Sequence, residues 1–187
     1  DYTNENISYI RGTKSTLGAI RLKSVGKNLV PKNTNVPRFA IIEGRECIQP
    51  QYADNFTSIQ GEGVFYAIST NEFYKYANIK FKPNTQYTLQ LRGQNLGTNA
   101  VCRIIHTDGS SVEGSTAQDF ALSTWTSTIG KTVLAIVFYH QYWGQNTAID
   151  LDSIMLYEGT QATEYEPYKE STLYVLGKDE EGNILEF

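Results

Sequence analysis

The run His140-Gln141-Tyr142-Trp143-Gly144-Gln145-Asn146 has the composition of a saccharide contact. A sugar presents apolar C–H faces edged by hydroxyls. Aromatic rings stack on the faces, and Arg, Asn, Gln and His side chains hydrogen-bond the edges. A planar ring is already rigid, so it loses little entropy when it binds. Gly144 and Asn146 place the run in a loop, where an exposed tryptophan calls for a reason. The competing reading is that Trp143 folds back to cap the end of a sandwich. Trp143, Tyr142, His140 and Gln145 are the first candidates, with Tyr139 just before them. Arg103 lies between Val101 and Ile105, in a strand-like run where a guanidinium cannot be buried unpaired. If strands at 100–106 and 132–142 share a sheet, Arg103 and Tyr139 line one concave face. Trp125 stands in a Ser/Thr-rich run and is either a second stacking ring or a core plug. Tyr66 and Tyr74 are further aromatic candidates.

Catalytic chemistry finds less to work with. There are two histidines, His106 and His140, and no G-x-S-x-G elbow. The tight acidic pair is Asp150 and Asp152. On a strand, residues two apart share a face, so these carboxylates can offer hard oxygens to Ca²⁺; the alternative is two solvated acids. No pair of carboxyls stands out for glycoside hydrolysis. Cys47 and Cys102 show none of the spacings of a structural zinc site. They are either buried thiols or a disulfide, which only geometry can decide. The expectation is a non-catalytic binding protein with no cofactor, unless calcium occupies the Asp150/Asp152 pair.

The elements that position these residues read as strands. The chain has 187 residues, a net charge of −4, 19% charged residues and 12% aromatics, with 13 tyrosines. It carries no basic stripe of the kind phosphate recognition needs, which argues against nucleic acid as a partner. It has no apolar run of the ~18 residues a membrane-spanning helix requires, so no membrane insertion is expected. Gln86–Arg92 is the cleanest strand, with Tyr87, Leu89 and Leu91 alternating against polar residues. Asp108-Gly109 marks a hairpin. Thr132–Tyr142 is apolar on both faces, as in a central strand. Phe39–Ile42, Glu46–Gln49, Phe56–Ile59, Val64–Ile68, Ala100–His106 and Ala117–Leu122 are further predicted strands, while Glu72–Phe81 is too irregular to assign. Thr147 to Tyr168 reads as a long late strand, a turn and an extended tail. Ile149, Leu151, Ile154 and Leu156 slip phase near Asp152-Ser153, which predicts a bulge. Pro167 keeps the tail extended. Leu173–Leu176 and Ile184–Phe187 form a predicted terminal hairpin. No apolar period of 3.6 residues with caps is present, so no long helix is expected, and many short strands imply an all-β sandwich.

The ends of this sandwich resemble a jelly-roll domain found in tail and baseplate proteins of bacteriophages. Three segments carry the likeness: Gly26-Lys27-Asn28-Leu29 at its start, Pro83, Thr85, Tyr87, Thr88 and Leu89 in a P-x-T-x-Y-T-L segment, and a closing I-x-L strand, Glu158-Gly159 turn and A-T-x-Y-E-P-Y tail ending at Tyr168. The resemblance implies a jelly-roll β-sandwich like a carbohydrate-binding module over 25–170. A polar leader and connecting strand precede it at 1–24, and a β-hairpin follows at 171–187. It further implies adhesion to host cell-wall or capsular saccharide, other phage tail proteins as neighbours, a homo-oligomer, and location in the virion tail. It transfers no ligand residue, because its motifs belong to the scaffold. Two other functions share this fold: a structural spacer that binds protein neighbours and no sugar, and an accessory module of a secreted bacterial glycosidase.

Overall fold

The computed structural model describes residues 20–95, 101–114, 118–140, 147–160 and 164–175. The chain is all-β. It divides into two compact units, Val25–Lys169 and a second formed from Asp1–Ser24 with Glu170–Phe187. What is described of the second unit is a two-stranded sheet of β1 (Ile20–Val25) and β13 (Glu170–Val175). The far arm of the expected terminal hairpin, 184–187, lies outside the described residues.

The larger unit is a β-sandwich of two sheets. β2 (Phe39–Ile42) and β3 (Arg45–Ile48) form its first hairpin. The two loop residues, Glu43 and Gly44, have φ of 51° and 77°. Positive φ at both positions is the geometry that matches strand twist in a two-residue hairpin. β4 (Gly63–Ser69), over the predicted strand Val64–Ile68, and β5 (Glu72–Ala77), inside the stretch Glu72–Phe81 whose sequence was too irregular to assign, form the second hairpin. β6 (Tyr87–Asn95) is followed by β7 (Cys102–His106), which turns through Asp108-Gly109 into β8 (Ser111–Gly114). The Asp108 carboxylate accepts from both the Ser110 N–H and hydroxyl, and it pairs with Lys131 at 2.9 Å. β9 (Leu122–Thr126), β10 (Val133–Phe138), β11 (Thr147–Asp150) and β12 (Met155–Glu158) complete the unit.

One sheet runs β5-β4-β10-β7-β8, with β10 parallel to β4 and antiparallel to β7. β10 is therefore central, as its two apolar faces require. The other sheet runs β12-β6-β11-β3-β2, with β9 on β6. The long late strand is broken: a 3₁₀ turn, Leu151–Ser153, separates β11 from β12. Asp150 caps this turn by accepting from the Asp152 N–H at 3.0 Å, and the Ser153 hydroxyl donates to the Asp150 carbonyl at 2.7 Å. The turn absorbs the phase slip that suggested a bulge. It leaves Ile149, Leu151, Ile154 and Leu156 all in one core. The strand expected over Ala117–Leu122 begins outside the described residues, and 118–121 are not strand. The Ala121 N–H bonds the Gln118 carbonyl in a turn, and pairing with β6 begins only at Leu122.

The main core lies between the sheets, built from residues such as Val64, Tyr66, Leu89, Leu91, Ile104, Ile136 and Leu156. A smaller cluster lies on the other face of the five-stranded sheet. There Phe65, Ala67, Ala135, Val137 and Tyr139 are covered by Ala53, Phe56 and Ile59. Phe56–Ile59 is a turn, closed by an Ile59 N–H to Phe56 carbonyl bond, and not the strand its apolar ends suggest.

The scaffold residues of the resemblance have physical jobs. Asn28 is buried, and its side chain acts as a backbone surrogate. Nδ2 donates to the Ile154 carbonyl, and Oδ1 accepts from the Val30 and Leu156 N–H groups. The Gly26 N–H donates to the Lys169 carbonyl at 2.8 Å, and a Cβ at Gly26 would meet the Lys169 Cβ at 3.3 Å. The buried Tyr87 hydroxyl accepts from the Lys82 N–H, and its ring packs edge-on against Phe81.

Candidate functional site

β7 and β10 are neighbours, and their register sets Arg103 opposite Val137 on one side and Glu113 of β8 on the other. Ile104 fills the main core, so Arg103 points to the opposite face of the sheet, as alternation demands. Tyr139, one residue past β10, lies on that same face. The Arg103 guanidinium lies 4.1 Å from the Phe56 ring centroid and 5.6 Å from that of Tyr139, within cation–π range. It also forms an ion pair with Glu113. Its Nε–H finds no acceptor among the described residues. The side chains of Arg103 and Glu113 remain 25% and 43% exposed, so the pair is the open edge of this cluster. Tyr139 is only 2% exposed, its ring held edge-on by Phe56 at 4.7 Å. Burial pushes its hydroxyl up to about 12, against the opposing pull of Arg103, so it stays a neutral donor at ordinary pH.

His140 extends the same strand end. Its N–H bonds the Gln51 carbonyl, and its carbonyl accepts from the Ala53 N–H, stitching the end of β10 to the covering segment. It is buried, and so is not an exposed edge contact. The chain then enters 141–146. Tyr142, Trp143 and Gln145 lie outside the described residues.

Trp125 belongs elsewhere. It sits on β9 opposite Leu89, 6% exposed, and is part of the main core. Its indole lies so close to Gly114 of the facing sheet that a Cβ there would fall 1.7 Å from Nε1. A ring enclosed in this way has no face to offer a sugar, so the core-plug reading is the right one. Tyr66 is also interior, with its hydroxyl donating to the Pro37 carbonyl and Tyr74 5.5 Å away. His106 is a structural residue: Nδ1 faces the Ser110 carbonyl and hydroxyl, and Nε2 accepts from the Thr128 N–H.

Asp150 and Asp152 do not share a strand face, because the chain turns between them. Asp150 pairs with Arg45 at 3.2 Å. Asp152 pairs with Lys32 at 2.6 Å, and Lys32 also reaches Glu46. Each carboxylate is thus engaged by its own cation, which is a poor arrangement for a shared Ca²⁺. Cys47 and Cys102 are free and buried.

Two members of the sheet-face cluster were missed in the sequence. Glu113 was within reach: counting outward from the Asp108-Gly109 turn pairs it with Arg103. Phe56 gave no signal, because it acts from a turn. Chemically, the cluster holds a planar donor fork next to a carboxylate on an aromatic bed, which suits a ligand rich in hydroxyls. Comparison with family models, with curated proteins and with solved structures returns no match to this chain, so its functional reading rests on these residues.

Proposed function

We propose that this chain is a non-catalytic carbohydrate-binding domain, a jelly roll of a bacteriophage tail or baseplate protein that adheres to host cell-wall or capsular saccharide. The observation that carries this reading is the Arg103–Glu113 pair, half-open on the five-stranded sheet beside the strand end that leads into the aromatic-polar run 140–146. In it, Arg103 and Glu113 bond sugar hydroxyls, while Tyr142 and Trp143 supply stacking surface and Gln145 a further amide. Tyr139 and His140 act from beneath, as buried supports. Each site is weak, and display of several copies on a tail raises the avidity.

A second reading is a structural spacer of the tail. Phe39 and Ile41 favour it, since both are exposed on β2, at an edge of its sheet. An edge of that kind can receive a protein neighbour.

Binding of the purified chain to intact candidate host cells, beside Trp143→Ala and Arg103→Ala variants, tests the proposal. Binding competed by extracted wall polysaccharide and weakened in both variants supports it. No binding by the wild-type chain, even when clustered on beads, refutes it in favour of the spacer.

A further inference from the structure

A cleft of about 300 Å³ opens where the segment after Asn28, the Leu151–Ser153 turn and the Tyr165–Tyr168 tail meet. That volume is at the small end of ligand sites, ~300–1,000 Å³. Its floor is apolar, made by the buried Val30, Leu151 and Ile154. Tyr165 and Pro167 form an aromatic and aliphatic wall, and Tyr165 is 43% exposed although it backs onto that floor. The opposite rim is polar. Lys32 Nζ lies 2.6 Å from Asp152 and 2.5 Å from Glu46. Lys32 and Asp152 both line the cleft.

We infer that this cleft is a subsite for one uncharged pyranose ring of a polysaccharide. The inference rests on the saccharide-binding reading and adds to it a second site and a charge preference. Stacking supplies the first part: a sugar's C–H face fits Tyr165 and Pro167, while its hydroxyls reach Lys32 and Asp152, which offer donors and acceptors side by side. The two carboxylates already hold the Lys32 side chain, so little rotamer freedom is left to lose on binding. Charge supplies the second part. One ammonium, that of Lys32, stands between the Asp152 and Glu46 carboxylates, and the Arg45–Asp150 pair is balanced. The local sum is negative. A uronic acid or phosphate-bearing wall polymer would bring more negative charge to a lining whose cation, Lys32, is already held by two carboxylates, whereas a neutral hexose or N-acetylhexosamine meets no such repulsion.

The test is an array carrying neutral hexose and N-acetylhexosamine oligosaccharides beside uronic-acid oligomers and glycerol-phosphate polymers. It is probed with the full chain and with Tyr165→Ala, Tyr165→Phe, Asp152→Asn and Arg103→Ala. The expected result is preference for the neutral members, at least tenfold weaker binding in Tyr165→Ala, and near-normal binding in Tyr165→Phe. Asp152→Asn should narrow the preference against the acidic members. Neutral-glycan binding untouched in Tyr165→Ala but lost in Arg103→Ala overturns the cleft and leaves the saccharide reading standing. Preference for the acidic members overturns the charge argument. Failure of the wild-type chain to bind any member overturns the saccharide reading itself.

Discussion

Replacing Asn28 by alanine removes one side chain and breaks three hydrogen bonds. Asn28 is 1% exposed. It joins the entry segment to the start of β12 through the Ile154 carbonyl at 3.0 Å and the Leu156 N–H at 3.2 Å, and it holds its own segment through the Val30 N–H at 3.0 Å. In the variant those three backbone groups are left among Val30, Ile154 and Leu156, all buried. An orphaned buried group costs about 1–3 kcal/mol, and a water entering the vacated amide space would recover part of the sum. The expected loss is about 3–5 kcal/mol, a large share of the ~5–15 kcal/mol that stabilises a typical domain. Urea unfolding should show it as a lower midpoint at unchanged slope. Asn28→Asp separates hydrogen bonding from shape. At pH 7 its carboxylate still accepts from Val30 and Leu156, but it cannot donate to the Ile154 carbonyl and it buries a charge. Its folded pKa must rise above the unfolded value of about 3.9. Its stability relative to Asn28→Ala should therefore grow as the pH falls through the folded pKa, reaching its full extent below the unfolded one. A loss below about 1 kcal/mol for Asn28→Ala, or wild-type stability for Asn28→Asp at pH 7, would refute the reasoning.

Three other outcomes follow from the packing. Gly114→Ala should destabilise by about 2–4 kcal/mol, because the new methyl collides with the Trp125 indole, and Trp125→Phe in the same chain should recover part of that loss in a double-mutant cycle. Tyr157→Phe should leave stability unchanged or raise it by up to about 1 kcal/mol, since the buried hydroxyl has no hydrogen-bond partner among the described residues; calorimetric melting checks this. Neither thiol should react with a disulfide reagent at pH 8 in the folded chain, and both should react in denaturant. Burial pushes Cys47 up to about 11 and Cys102 well above the thiol range, so the reactive thiolate is scarce until the chain opens.

Legibility followed the reach of the physics. β6 and β10 were plain in the sequence because alternation and two-faced apolarity are local properties. The Asp108-Gly109 hairpin was plain because turn chemistry is local too. The break at Leu151–Ser153 was visible as a phase slip but not as a turn, since the Arg92 N–H that donates to the Ser153 hydroxyl belongs to β6, outside the segment's own pattern. Phe56–Ile59 misled because its apolar ends serve the cover of a second core, and a short run gives no sign of which surface it will cover. Trp125 could not be placed from its neighbours, because the space that receives it is made by a glycine on the other sheet. Asp150 and Asp152 failed as a pair for the same reason, their cations Arg45 and Lys32 being more than a hundred residues upstream. Arg103 and Tyr139 were joined conditionally, and their strands do share a sheet.

The bond from Gly26 to Lys169 closes the larger unit on itself. Chain enters and leaves that unit one hydrogen bond apart, so a host polypeptide could carry it as a side loop spanning no more than about 5 Å, the gap between neighbouring strands. Tension along such a polypeptide would fall first on the paired β1 and β13, then on the Gly26–Lys169 junction, and only afterwards on the sandwich. A sugar-holding face on a unit built this way would hang beside the line of force, and pulling on the carrier would leave its geometry intact until that junction parted.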